Sequence, residues 1–227
     1  MPCDAYLNIH AIVPGLETPF QLIMASTMST DASGKRCFVT IGATASFNSL
    51  IRAVLAPDFI AALKKAEYTE LRVQYGNEEG GTIFRSGVDD LNNTSGSQDF
   101  NVTGFGFNST GLGSEMLAAK GRTTDDEGLV ISHAGSGSIL DALRIGVPLV
   151  VVPNTDLLHN HQLELAEVLE QQEYVIHGKL DDLKSSIPQV EALRKKSRQW
   201  PPLRSDAHKY KNGLTDVIAE EMGWQMD

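Results

Sequence analysis

The run LVVVP at residues 149–153 constrains this chain more than any other stretch, because its apolar residues follow one another without a break. A strand with one wet face alternates apolar and polar side chains, so an unalternating run must bury both faces. GLVI (128–131) and CFVTI (37–41) have the same character, ELRVQYG (70–76) and FNVTGFGF (100–107) continue the strand pattern, and YVI (174–176) is a shorter strand. Helical spacing fills the intervals. It covers Ser49 to Lys65, with Leu50, Val54, Ile60 and Leu63 apolar and Pro57 expected to split or kink the run, and SEMLAAK (114–120). It covers Ser138 to Arg144, closed by Gly146 and Pro148, then His161 to Gln172 and Leu180 to Ser197. Residues 77–98, rich in Gly, Asn, Ser and Asp, read as a long surface loop. Strands alternating with helices in this way predict an α/β fold: an open, mostly parallel sheet with helices on both faces. Ligands of such sheets sit beyond the carboxyl ends of the strands, where the loops after Ile41, Val102 and Ile131 fall.

Composition narrows the partners. Lys and Arg number 19 against 29 Asp and Glu, a net charge of −10, which argues against broad contact with nucleic acid or anionic lipid. Cys3 and Cys37 are too few and too far apart for a disulfide framework or a zinc site, and fit a reducing compartment. No apolar run approaches the roughly 18–20 residues that span a bilayer. The first residues lack a basic segment and make a poor signal peptide, so the sequons at Asn92, Asn93, Asn101 and Asn108 read as chance matches. The chain divides into a variable extension (1–36), one domain (37–198) and a tail (199–227). The start-like MASTMST after residue 23 leaves 1–23 to be read as a dispensable leader or an over-extended gene model, and the tail is expected to carry Leu214, Val217, Ile218 and Met222 on one helical face.

ISHAGSGSILDALRIGVP (131–148) holds the first chemistry-bearing segment. Small residues between a strand and a helix let backbone N–H groups approach a ligand, and a helix start favours anions. Ser138 and Asp141 have capping-box spacing. Leu140 stands where a dinucleotide fingerprint needs its third glycine, and no Gly-Lys-Ser/Thr follows, so neither that motif nor a P-loop is present. A tight turn and a diphosphate cradle both remain open. After the LVVVP strand, Asn154, Asp156, His159, Asn160, His161 and Gln162 cluster at a helix start. Such a strand end suits a hydroxyl-rich ligand, or simply a solvated loop. As a metal set, Asp156, His159 and His161 lack a third strong ligand and a typical spacing.

Taken together, ISHAGSGSILDALRIGVPLVVVPN, LLHNHQLELA, VTIGAT and VTGF resemble the asparagine-linked glycosylation protein 13 family over roughly residues 37–176. That family is the catalytic subunit of the UDP-N-acetylglucosamine (UDP-GlcNAc) transferase that adds the second GlcNAc to dolichol-diphosphate-GlcNAc. It is similar to the carboxyl-terminal half of the bacterial transferase making the lipid-linked peptidoglycan precursor. The resemblance implies a Rossmann-like parallel sheet forming the donor-binding half of a GT-B glycosyltransferase. It implies a membrane-anchored acceptor-binding partner of the asparagine-linked glycosylation protein 14 type, contacted through the tail helix at the cytosolic face of the endoplasmic reticulum. UDP-GlcNAc is then the donor, a dolichol-linked sugar the acceptor, and no cofactor or metal is expected.

By the same resemblance, Gly42, Ala43 and Thr44 form the glycine-containing loop facing the diphosphate, and Phe105 and Gly106 form the strand end whose backbone recognises uracil. His133 with the backbone of Gly135, Ser136, Gly137 and Ser138 forms the diphosphate cradle, His133 and Thr44 stabilising the leaving group. Asp141 holds the ribose, and Asn160, His161 and Gln162 meet the sugar, with His161 replacing a glutamine of the bacterial pattern. A non-enzymatic nucleotide-sugar-binding subunit and a transferase for another acceptor are the alternatives.

Overall fold

The computed structural model describes residues 34–43, 45–95, 100–154 and 161–198. Among these residues, six strands form one sheet: β1 (Lys35–Thr40), β2 (Tyr68–Gly76), β3 (Asn101–Gly106), β4 (Leu129–His133), β5 (Leu149–Val152) and β6 (Ile176–His177). All pairings are parallel, in the order β3-β2-β1-β4-β5-β6. The helices are α1 (Asn48–Val54), α2 (Pro57–Lys65), α3 (Glu78–Ser95), α4 (Gly113–Lys120), α5 (Ser136–Ile145), α6 (His161–Gln171) and α7 (Ser186–Arg198). A 3-10 turn over Leu180–Ser185 precedes α7. The expected extension falls largely on residues 1–33 and the expected tail on 199–227, both outside the described residues. β1 already begins at Lys35, inside the span read as extension.

Both faces of the sheet are dry, as the unalternating strands predict. Cys37, Val39, Leu129, Ile131, Val150 and Val152 point to one side, where they pack with Leu50, Ile51, Phe59, Phe84 and Ile187 from α1, α2, α3 and α7. Phe38, Val130, Leu149 and Val151 point to the other, against Met116, Ile139, Ala142, Leu165 and Leu169 of α4, α5 and α6. Each fully buried Leu, Ile or Phe contributes about 1.5–3 kcal/mol through loss of water contact. Pro57 splits the first helical run as expected, because its ring fits the first turn of α2 but not the interior of a continuous helix.

The long loop expected over 77–98 is instead the 18-residue α3. The Asn77 side chain caps it, its Oδ1 accepting from the Gly80 N–H at 2.9 Å. Phe84, Val88 and Leu91 then carry its apolar stripe onto the sheet. Its glycines, which suggested a loop, serve packing: a Cβ on Gly80 would strike the Tyr75 carbonyl, and one on Gly87 would press on Leu55. The capping box read at Ser138 and Asp141 is also corrected. α5 starts earlier, at Ser136, with extended Gly135 as its N-cap and no side-chain cap bond. The last strand is shifted from 174–176 to Ile176–His177, because Val175 turns into the core instead.

A polar network closes the amino edge of the sheet. Arg194 of α7, its side chain 4% exposed, donates to the Gly128 carbonyl at 2.7 Å, to the Tyr68 hydroxyl at 3.2 Å and to both Glu191 oxygens at 2.6 Å. Its Nε lies 3.2 Å from Glu127, which Lys120 also meets. Lys35 meets Glu191 at 3.4 Å. These charged contacts lie at the amino ends of the strands, away from the loops at the carboxyl ends.

Candidate functional site

The strand order reverses direction between β1 and β4, and a parallel sheet opens a crevice at such a point beyond its carboxyl ends. Thr40 is paired with Ser132 there, so the chain leaving β1 through Ile41 and Gly42 runs beside the chain leaving β4 through His133 to Gly135. The His133 ring lies between the two glycines. A Cβ built on Gly42 or on Gly135 would overlap the imidazole, at Nε2 in both cases. Gly42 also has φ +81°, a conformation that favours glycine. These two glycines therefore make room for the ring, which an ordinary tight turn does not require.

α5 points its first turn at this crevice. The N–H groups of its opening residues have no partners within the helix and carry its positive end. Gly137 is exposed, with open space where a Cβ would stand. Asp141 follows four residues on, so the two share a helix face. Its carboxylate is exposed and lies 3.9 Å from the still more exposed Arg144, a contact of little energetic weight. It caps nothing, and is available to a ligand lying along that face.

A family model described as the glycosyltransferase family 28 C-terminal domain matches residues 36–220. A UDP-N-acetylglucosamine transferase subunit ALG13 of Cryptococcus neoformans is 33% identical over 204 residues, covering 82% of this chain and 96% of that protein. The chain belongs to glycosyltransferase family 28. This family 28 domain is also similar to the subunits of the same name from Candida albicans, at 31% identity over 74% of the chain, and Yarrowia lipolytica, at 37% over 61%. It spans 64% and 62% of those two proteins' lengths. The solution NMR structure of an ALG13 protein superposes with a TM-score of 0.54 at 25% identity, over 82% of this chain and 96% of that one.

Other residues of the family 28 domain are placed with varying closeness to the crevice. Phe105 stands next to last in β3, but its ring is stacked on Phe38 at 6.2 Å with the Arg72 guanidinium 4.7 Å over it, so only its backbone and that of Gly106 can face a ligand. Gln162, in the first turn of α6, accepts the Asn154 N–H at 3.0 Å through Oε1. Asn154 in turn donates to the Ser46 carbonyl at 3.3 Å, tying the loop after β5 to the loop after β1. His161 is exposed beside Glu164 at 3.7 Å. Ala43 is exposed next to Gly42, while Thr44 and Asn160 lie outside the described residues, as do Asp156 and His159 of the metal reading. Among the buried polar residues that escaped the sequence reading are Thr40 at the end of β1 and Gln74 near the end of β2. Their signal was a polar residue in each of two otherwise apolar strand ends.

Burial pushes the His133 imidazole below its ordinary value of 6.5, a backbone hydrogen bond with Thr40 working the other way. The neutral ring is thus favoured in the fold. The unfolded chain then binds the proton more tightly, so stability rises with pH across the window from the depressed folded value up to 6.5 and levels off above it. Urea unfolding at pH 5.5 and 7.5 is expected to show a smaller pH difference in His133→Asn than in the unsubstituted protein. Equal differences in the two proteins would refute a buried neutral His133.

Proposed function

We propose that this chain is the donor-binding, catalytic subunit of a UDP-GlcNAc transferase that adds the second GlcNAc to dolichol-diphosphate-GlcNAc with inversion. The observation that carries this reading is the His133 ring seated between Gly42 and Gly135, beside the first turn of α5 at the sheet's reversal point. Similarity to subunits named UDP-N-acetylglucosamine transferase supports the donor assignment. In this reading the diphosphate lies against the N–H groups of 136–138, the ribose meets Asp141, uracil meets the backbone at Phe105 and Gly106, and the sugar reaches Asn160, His161 and Gln162. Ala43 and Thr44 face the cleft.

As the bond between C1 and the leaving oxygen breaks, positive charge develops on the sugar and negative charge on UDP. Fixed N–H donors at the helix start, with His133 and Thr44, lower the energy of that departing charge. Holding the uridine end orients the sugar for attack by the acceptor O4 hydroxyl. The general base that takes the hydroxyl proton is assigned to the acceptor-binding partner, which also supplies the membrane anchor and docks on the tail helix. Among the described residues, no helix is long and apolar enough to cross a membrane.

Calorimetric titration with UDP-GlcNAc tests the site directly. Asp141→Ala is expected to weaken binding by about tenfold or more, as loss of a charged hydrogen-bond acceptor would. Unchanged affinity in a folded variant would remove Asp141 from the donor site.

A further inference from the structure

The loop after β1 is held from below by two side chains that no part of the proposed chemistry uses. The Thr40 hydroxyl donates to Gln74 Oε1 at 2.5 Å and accepts the Gly42 N–H at 3.2 Å. Gln74 Nε2 donates to the Gly42 carbonyl at 3.3 Å, closing the circuit. Thr40 is fully buried and Gln74 is 2% exposed, so water does not compete for these bonds. Gly42 is thereby gripped at both its N–H and its carbonyl, in a left-handed conformation, against the imidazole of His133.

We infer that Thr40 and Gln74 are positioning residues: a buried latch, spanning β1 and β2, that fixes the Gly42 loop and through it the seat of the His133 ring. The physical case rests on what else could hold the loop. A polar pair in a sheet interior costs stability unless its bonds are satisfied, and apolar residues of the same shape would fill the space without that cost. Here the pair spends its hydrogen bonds on one glycine at the ligand edge and on each other. Thr40 has a further connection, since its backbone interacts with the His133 ring. The latch therefore touches both walls of the crevice, the β1 loop by side chains and the β4 end through the histidine. It deepens the proposed function, because a diphosphate cradle needs donors that are already fixed before charge develops.

Thr40→Val keeps shape and removes the hydroxyl, Thr40→Ser keeps the hydroxyl, and Gln74→Met removes the amide at similar length. The probe is UDP, titrated into the full chain by calorimetry, with thermal melts to confirm folding. Thr40→Val and Gln74→Met are expected to weaken UDP binding by about tenfold, and Thr40→Ser to remain within about threefold of the unsubstituted protein. If the unsubstituted chain binds UDP and both apolar variants bind within about threefold of it, the latch is wrong and the donor site stands. If the unsubstituted chain does not bind UDP, the donor reading falls, and the latch is judged by the NMR signals of the His133 ring at fixed pH. Ring signals displaced in Thr40→Val and restored in Thr40→Ser support the latch. Signals alike in all variants overturn it.

Discussion

Replacing Arg194 with alanine is expected to remove about 3–5 kcal/mol of folding stability, the range for breaking a buried ion-pair network by deleting one member. The guanidinium serves three elements at once: Gly128 at the start of β4, Tyr68 at the start of β2 and Glu191 on its own helix. Deleting it strands the Gly128 carbonyl and removes from Glu127 and Glu191 the guanidinium that each meets beside Lys120 and Lys35 respectively. In a chain of this size the thermal midpoint should fall by about 10 °C or more. Arg194→Lys should fall between, because an ammonium cannot match the planar fork that reaches several acceptors. The exposed Lys184–Asp58 pair, at 2.9 Å, is the control: Lys184→Ala should leave the melt unchanged. An Arg194→Ala melt that coincided with that of the control would show that the amino-edge network holds nothing.

Gly42→Ala is expected to abolish donor binding, by about a hundredfold or more, while leaving a folded protein. The added methyl has two costs. It meets a φ of +81°, which penalises a residue with a Cβ by about 1–2 kcal/mol, and it collides with the His133 ring. The ring is the softer of the two obstacles, so it moves and the cradle loses its wall. Gly137→Ala separates geometry from stability in the opposite sense. Nothing lies near its Cβ position, and alanine favours a helix by roughly 0.5–1 kcal/mol over glycine, so the fold should gain. If a diphosphate approaches that backbone, the stabilised variant will bind UDP more weakly. Titration and melting of the two variants side by side check both expectations, and normal UDP affinity in Gly42→Ala would disconnect the β1 loop from the ligand.

The fold was legible wherever burial controls the residue choice. LVVVP and GLVI announced strands covered on both sides, and they lie in the middle of the sheet. α3 was not legible, because Gly80, Gly81 and Gly87 look like breakers in isolation and are explained only by Tyr75 and Leu55, residues brought near by the fold. The start of α5 was misread for a related reason. Ser138 and Asp141 have the spacing of a capping pair, but the helix begins as soon as extended Gly135 permits it. Gly42, His133 and Gly135 were each singled out by the sequence, whereas their mutual contact was not, since it depends on β1 and β4 being neighbours. Thr40 and Gln74 passed unnoticed because polar residues at strand ends are common, and only their burial and shared target set them apart.

The strand order differs from the chain order, and this matters as the chain leaves the ribosome. β1, β2 and β3 emerge first and can pair at once with their helices α1, α2 and α3 on one side. The other side of β1 has no cover yet: Phe38 waits for Met116 and Ile139, and Cys37 waits for its pairing partner Leu129. Until β4 and α5 have been synthesised, the nascent half-sheet presents a bare apolar face and an unpaired strand edge, the two features that make an intermediate sticky. The central strand of the finished protein is thus the exposed margin of the growing one, and this is the stage at which a chaperone has something to hold.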